Sequence, residues 1–270
     1  MEENMANIRI IVATHKKYKM PSFSCYLPLQ VGASGKDSLG YQRDDTGENI
    51  SQKNPSFCEL TGLYWAWKNL KSDYIGLVHY RRYFSIKKKG DDPFDNVLND
   101  DEVSRLIVRY PVIVPKKRRY YIETLRSHYA HTHYIEQLDI TRQIIAEKYP
   151  DYLKDFDDVV TQTWGYMFNM MVLRKDYLDS YCAWLFDILF SLEERYHAPN
   201  DLSTFQGRFY GRISEIIFNV WLKHQVRTDQ LKENDICEVP CIYMEKIDWW
   251  RKGTSFLKAK FFHKKYEGSF

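Results

Sequence analysis

The stretch Asn49–Phe84, NISQKNPSFCELTGLYWAWKNLKSDYIGLVHYRRYF, limits what this chain can fold into more than any other part of it. Leu60, Leu63, Tyr64 and Trp67 recur at i, i+3, i+4 and i+7, the spacing that puts them on one face of a helix. Pro55 suits a first helical turn with Asn54 as cap, while Ser56 and Glu59 offer an alternative S-x-x-E capping box. The helix is expected to end between Asn69 and Asp73, and Tyr74–Val78 then reads as a short buried strand. His79, Tyr80, Arg81, Arg82 and Tyr83 follow at once. In open α/β sheets, ligands sit beyond the carboxyl ends of the strands. A His and two Arg there are placed to meet an anion, because each guanidinium offers a planar two-pronged donor to phosphate oxygens. One Arg paired with a carboxylate and the other solvated is the plainer alternative.

The block NPSFCELTGLYWAWKN followed by DYIGLVHYRRYF resembles the DUF4422 family, and the similarity runs from ATHK at Ala13–Lys16 to GRISE at Gly211–Glu215. The resemblance implies an α/β fold of GT-A type: a Rossmann-like, mixed but mostly parallel sheet flanked by helices, with a helical C-terminal part. It also implies a glycosyltransferase of bacterial capsule, exopolysaccharide or lipopolysaccharide O-antigen synthesis. The donor would be a UDP-hexose, with galactose as pyranose or furanose a candidate sugar. The acceptor would be a growing glycan or a lipid-linked oligosaccharide.

A chain of 270 residues suits one α/β domain with a helical appendage, and 44% hydrophobic with 16% aromatic residues allows a substantial core. Residues 1–247 are read as that domain and 248–270 as a basic aromatic tail. No apolar run approaches the length of a membrane span. The start, MEENMANIRI, lacks the apolar core of a secretion signal, so a cytoplasmic location is expected. Five irregularly spaced cysteines fit reduced thiols, and Cys237-x3-Cys241 without a second pair is not a zinc motif. A net charge of +3 names no polyanionic partner. Its clustering at Lys87–Lys89, Lys116–Arg119 and Arg251–Lys265 carries more information, and the last suits peripheral contact with an anionic membrane surface.

Taken in order, Ile8–Thr14 reads as a buried first strand, and Thr14, His15 and Lys16 at its end are expected to meet the donor's base or ribose. Pro21–Asn49 reads as an irregular loop. Asn49 and Lys53 lie within the resembling motif and join the donor contacts on that ground. Asp100–Tyr110 reads as a helix and Val112–Pro115 as a strand. His128, His131 and His133 do not share a helix face, which disfavours a metal site; His128 and His131 suit sugar-hydroxyl or phosphate contacts on the acceptor side. Leu138–Tyr149 is helical, Asp155–Asp158 an acidic loop, and Tyr166–Leu173 a central strand, whose Asn169 the resemblance places near the sugar. Asp176–Tyr196 and Gly207–His224 read as helices, the second led in by Arg208, Gly211 and Arg212. Arg212 is read as an acceptor contact.

Sugar transfer from a nucleotide sugar builds positive charge at the anomeric carbon and negative charge on the departing diphosphate. Cations or a metal must meet the second, and inversion needs a carboxylate base at the acceptor hydroxyl. Many GT-A enzymes hold Mn2+ or Mg2+ with D-x-D after a central strand; here that place reads His79-Tyr80-Arg81. Arg81 and Arg82, helped by Lys16 or His79, are therefore expected to replace the metal's charge. Glu215 in GRISE is the expected base. A noncatalytic polysaccharide-binding module is the competing class and predicts glycan binding without nucleotide. Nucleic-acid binding ranks last, because most aromatics fall on helical core faces.

Overall fold

The computed structural model describes residues 6–199 and 202–245. The first strand, β1 (Ile8–Thr14), is buried on both faces: Ile11 and Ala13 enter one core cluster, Ile10 and Val12 the other. Two further strands, β2 (Tyr26–Gln30) and β3 (Gln42–Arg43), lie within the stretch read as irregular. Pro28 hides β2 from a sequence reading, and it is tolerated because β3 pairs only with Leu29 and Gln30, leaving the rest of β2 an edge. The loop is also ordered by Asp44, whose buried carboxylate accepts from the Gly32 and Ala33 amides at 2.8 and 3.0 Å and from the Ser51 and Thr61 hydroxyls.

The helical stretch divides into α1 (Asn54–Phe57) and α2 (Leu60–Asn69), broken at Cys58, which adopts a positive φ of 54°. Neither expected cap forms. Asn54 instead donates to the Cys58 carbonyl at 2.7 Å and the Thr61 hydroxyl at 3.2 Å, tying the two helices together. Strand β4 (Tyr74–His79) follows as read, and β5 (Arg82–Phe84) turns back beside it. Helix α3 (Asp100–Arg109) starts with an Asn99–Glu102 capping box and leads to β6 (Val112–Pro115). Then come β7 (Arg118–Arg119), α4 (Leu125–Thr132), α5 (Ile135–Lys148) and α6 (Leu153–Val160). The supposed acidic loop Asp155–Asp158 is thus helical, because Phe156, Val159 and Val160 are buried at i, i+3 and i+4.

Strand β8 (Trp164–Gly165) pairs with β7 in a separate ribbon, and only β9 (Met171–Arg174) of the predicted Tyr166–Leu173 strand joins the main sheet. Phe168 and Asn169 have φ of 79° and 51°, which a strand cannot contain. The long helices α7 (Lys175–Arg195) and α8 (Phe209–Arg227) precede β10 (Ile236–Val239) and β11 (Cys241–Tyr243). The sheet runs β10-β6-β9-β4-β1-β2-β3, and in that row every strand but β9 points the same way. Beyond β4, β5 and β11 add an antiparallel extension.

Helix α2 sits directly on β1 and β2: a Cβ on Gly62 would come within 2.8 Å of Val31 and 3.0 Å of Leu29. Its Tyr64 and Trp67 turn the other way and pack on Phe186 of α7. The larger core lies between the sheet and these helices, and a smaller one lies under α3. All five cysteines are free thiols. Among the described residues, no helix is long and apolar enough to cross a membrane. The stretch 248–270, read as a tail for membrane contact, lies outside the described residues.

Candidate active site

A cavity of about 770 Å³ opens where β1 and β4 end and α8 begins. Six Arg or Lys side chains line it against three glutamates, Glu59, Glu215 and Glu245. That excess of positive charge suits an anionic ligand.

Its floor is built on the left-handed pair Phe168–Asn169. Asn tolerates this conformation, whereas for Phe it costs about 1–2 kcal/mol. Hydrogen bonds hold both residues there. The Phe168 carbonyl accepts from Nε2–H of His79 at 2.6 Å, which leaves Nδ1 of the neutral ring as an acceptor. Burial pushes the His79 pKa down, against the opposing field of Glu59. Asn169 donates to Glu59 Oε1 at 2.6 Å and to the Gly211 carbonyl at 3.1 Å, and accepts from the Ser214 hydroxyl at 3.0 Å. One buried amide thereby fixes the start of α2 against the start of α8. Glu215 is buried, and Nη1 of Arg212, one turn earlier, donates to both its oxygens at 3.1 and 3.3 Å. The field of Glu215 is in turn the main cause that raises the Arg212 pKa.

The remaining cations form two groups. His15, edge-on to Tyr80, has its pKa lowered by burial and then by Arg208, Arg81, Lys16 and Lys36, so these charges surround it. Arg81 is half exposed and paired with Glu245 at 3.2 Å. Its neighbour Arg82 goes elsewhere: its guanidinium lies 3.7 Å from the Phe168 ring centre and 4.8 Å from that of Tyr243. Burial lowers its pKa, and Glu215 and Arg118 are among its charged neighbours. Arg118 lies 5.7 Å from the Phe168 ring centre and 5.0 Å from that of Tyr120.

Of the residues singled out from sequence, His15, His79, Arg81, Arg82, His128, Arg212 and Glu215 line this one cavity. The others stand behind or away from it. Thr14 donates its hydroxyl to the Lys16 carbonyl at 2.7 Å and shapes the turn that presents His15. Lys16 lies over Tyr18 and Tyr80. Asn49 bonds within its own loop, and Lys53 is ion-paired with Glu193 at 2.7 Å on α7. Asn169 is the buried fastener just described. His131 shares the buried carboxylate of Glu123 with His128, at 2.6 and 2.9 Å. Sequence reading passed over three lining residues that matter: Glu59, taken for a cap; Arg118, seen only as part of a basic run; and Arg208, noted only as preceding α8. Among the described residues, no group of three or more His, Cys, Asp or Glu is placed to hold a metal ion.

A family model described as a domain of unknown function, DUF4422, matches residues 9–226. The chain belongs to the DUF4422 family. Its fold is also that of a solved glycosyltransferase, the bifunctional WbbM in its apo form, with a TM-score of 0.81 and 28% sequence identity. The match covers 89% of this DUF4422 chain and 46% of the WbbM chain, so the chain spans about half the length of that protein. A comparison with curated proteins gave no match. The fold that the resemblance implied is therefore present, in the α/β, mostly parallel form expected.

Proposed function

We propose that this DUF4422 protein is a glycosyltransferase that moves a hexose from a UDP-sugar to a glycan acceptor. The observation that carries the reading is the cation-rich cavity at the carboxyl ends of β1 and β4, which also holds the buried carboxylate of Glu215. The likeness to WbbM supports the same reaction class. His15, Arg81 and Arg208 would meet the donor diphosphate, the charge of the two arginines stabilising it as it departs and the neutral His15 ring offering an N–H. Where a metal-dependent transferase has acidic ligands after β4, this chain has His79, Tyr80 and Arg81, so guanidinium groups would do the work of Mn2+ or Mg2+. Glu215, oriented by Arg212, would take the proton from the acceptor hydroxyl. Glu59, fixed by Asn169, is the second carboxylate at the reacting face. Galactose as the hexose rests on the family resemblance alone, as does a lipid-linked or polysaccharide acceptor, while work at the inner face of the cytoplasmic membrane rests on the basic sequence Arg251–Lys265 as well.

Thermal unfolding with UDP, GDP and CDP, each with EDTA or with manganese, tests the donor. A ligand that binds only the folded state raises its stability by RT ln(1 + [L]/Kd). A rise with UDP that survives EDTA is expected. A rise confined to manganese would remove the arginine-for-metal idea. No rise with any nucleotide would favour a glycan-binding module, for which Tyr120, Phe168 and Tyr243 already supply ring faces.

A further inference from the structure

The positive charge that lines the cavity is divided between two places. The group around His15, with Arg81 and Arg208, is where the proposed donor reading puts the diphosphate. Arg82 and Arg118 stand apart from it, both close to the Phe168 ring, at 3.7 and 5.7 Å from its centre. Neither forms an ion pair with a carboxylate among the described residues. Nε of Arg82 is buried with no hydrogen-bond partner. The carboxylate whose field reaches Arg82, that of Glu215, is already held by Arg212. A desolvated guanidinium and a half-buried one, neither with a counterion, form an incomplete arrangement, which an oxyanion entering the cavity would complete.

We infer that Arg82 and Arg118, both beside Phe168 on the cavity wall, form an oxyanion site for the acceptor, so that the sugar receiving the hexose carries a phosphate or a carboxylate. The inference rests on the transferase reading, and the placement fits it. Arg82 neighbours Glu215, the proposed base, so an anion bound there holds the acceptor beside the group that must deprotonate it. The rings of Phe168, Tyr120 and Tyr243 give apolar faces for a pyranose or furanose next to the charge. A neutral acceptor would leave both cations uncompensated.

Calorimetry on the full chain tests this with UDP measured alone first. Glucose 1-phosphate, glucuronic acid, methyl glucoside and inorganic phosphate are then each titrated with and without saturating UDP. The expected result is binding of a sugar anion to the UDP-saturated protein, absent for methyl glucoside and weakened about tenfold or more by Arg118→Gln. Arg118→Lys, which keeps the charge but loses the fork, should fall between, and UDP affinity should not move in either variant. Response to glucose 1-phosphate alone assigns a phosphate-bearing acceptor; response to glucuronic acid alone assigns an acidic sugar. The assignment is overturned if no sugar anion binds the UDP-saturated protein, if inorganic phosphate binds as tightly, or if Arg118→Gln weakens UDP equally. Failure of UDP itself to bind overturns the transferase reading instead. An Arg118-dependent response to the sugar anions would then still support the oxyanion site.

Discussion

Helix α8 carries a buried carboxylate cluster at each end, and the two are built to different rules. At its far end, Asp155 of α6 is wholly buried and accepts from His224 at 3.0 Å and from Arg227 at 2.9 Å, while the Tyr152 ring stacks on His224 with centroids 3.5 Å apart. That acid is surrounded by its own partners, and it borders no part of the cavity. At the near end, Glu215 and Arg212 form a comparable pair, yet around them stand Arg82, Arg118 and Arg208 with charge to spare. A closed ion cluster fastens helices. An unbalanced one beside a cavity waits for a ligand, and balance of charge separates the two better than burial does.

Breaking each end in turn should give opposite phenotypes. The largest effect is expected from Glu215→Gln, a loss of about a thousandfold in transfer rate. UDP affinity should be unchanged by calorimetry, and wild-type turnover would remove Glu215 as the base. Asp155→Ala should do the reverse. It leaves His224 and Arg227 facing a buried hole, so urea unfolding should show a loss of about 3 kcal/mol with UDP affinity retained. If nucleotide binding fell as well, the far end would not be merely a fastener.

Asn169 sharpens the comparison, because it is a structural residue inside the functional end. Asn169→Ala should lower stability by about 2 kcal/mol, combining lost hydrogen bonds with strain at its positive φ. Asn169→Gly should recover about 1 kcal/mol of that, since glycine accepts the conformation. Both variants should slow transfer, because Glu59 loses its anchor. Arg81→Ala, at a half-exposed position, should raise the Kd for UDP only about tenfold.

The smallest effect is on pH. His15, His79 and His128 at the near end all have pKa values lowered chiefly by burial. The unfolded chain then takes up protons first as pH drops below about 6.5, so stability is full above that value and falls as the solution is acidified. Melting temperatures between pH 7.5 and 5.5 should show this slope, and His79→Gln should make it shallower.

The elements that periodicity describes were legible before the structure: α2, β4, β1, α7 and α8 lie close to where the sequence put them. What escaped was set by single residues with unusual roles. Pro28 masked β2, and the apolar run at Tyr166–Leu173 looked like one strand although Phe168 and Asn169 are held left-handed by partners distant in sequence. The site divides the same way. His79, Arg81, Arg82, Arg212 and Glu215 announced themselves by sitting at element ends. Arg118 joined the cavity only through pairing of β7 with β8, which a two-residue ribbon does not reveal in sequence. Thr14, Asn49 and Lys53 shared a motif with lining residues without reaching the cavity themselves.

The family match ends at residue 226, but the last strands lie beyond it. Strand β10 covers the edge of β6, and β11 brings Tyr243 over Arg82 just ahead of Glu245, the partner of Arg81. A chain cut at the family boundary would keep α1 to α7 and all but the last residue of α8, Arg227. It would also bare a row of sheet amides and carbonyls prone to pairing with another molecule, and both adjacent arginines would lose a neighbour. For this protein the unit that is recognised by resemblance is shorter than the unit that folds, and any transplant of the module into another protein has to carry the longer one.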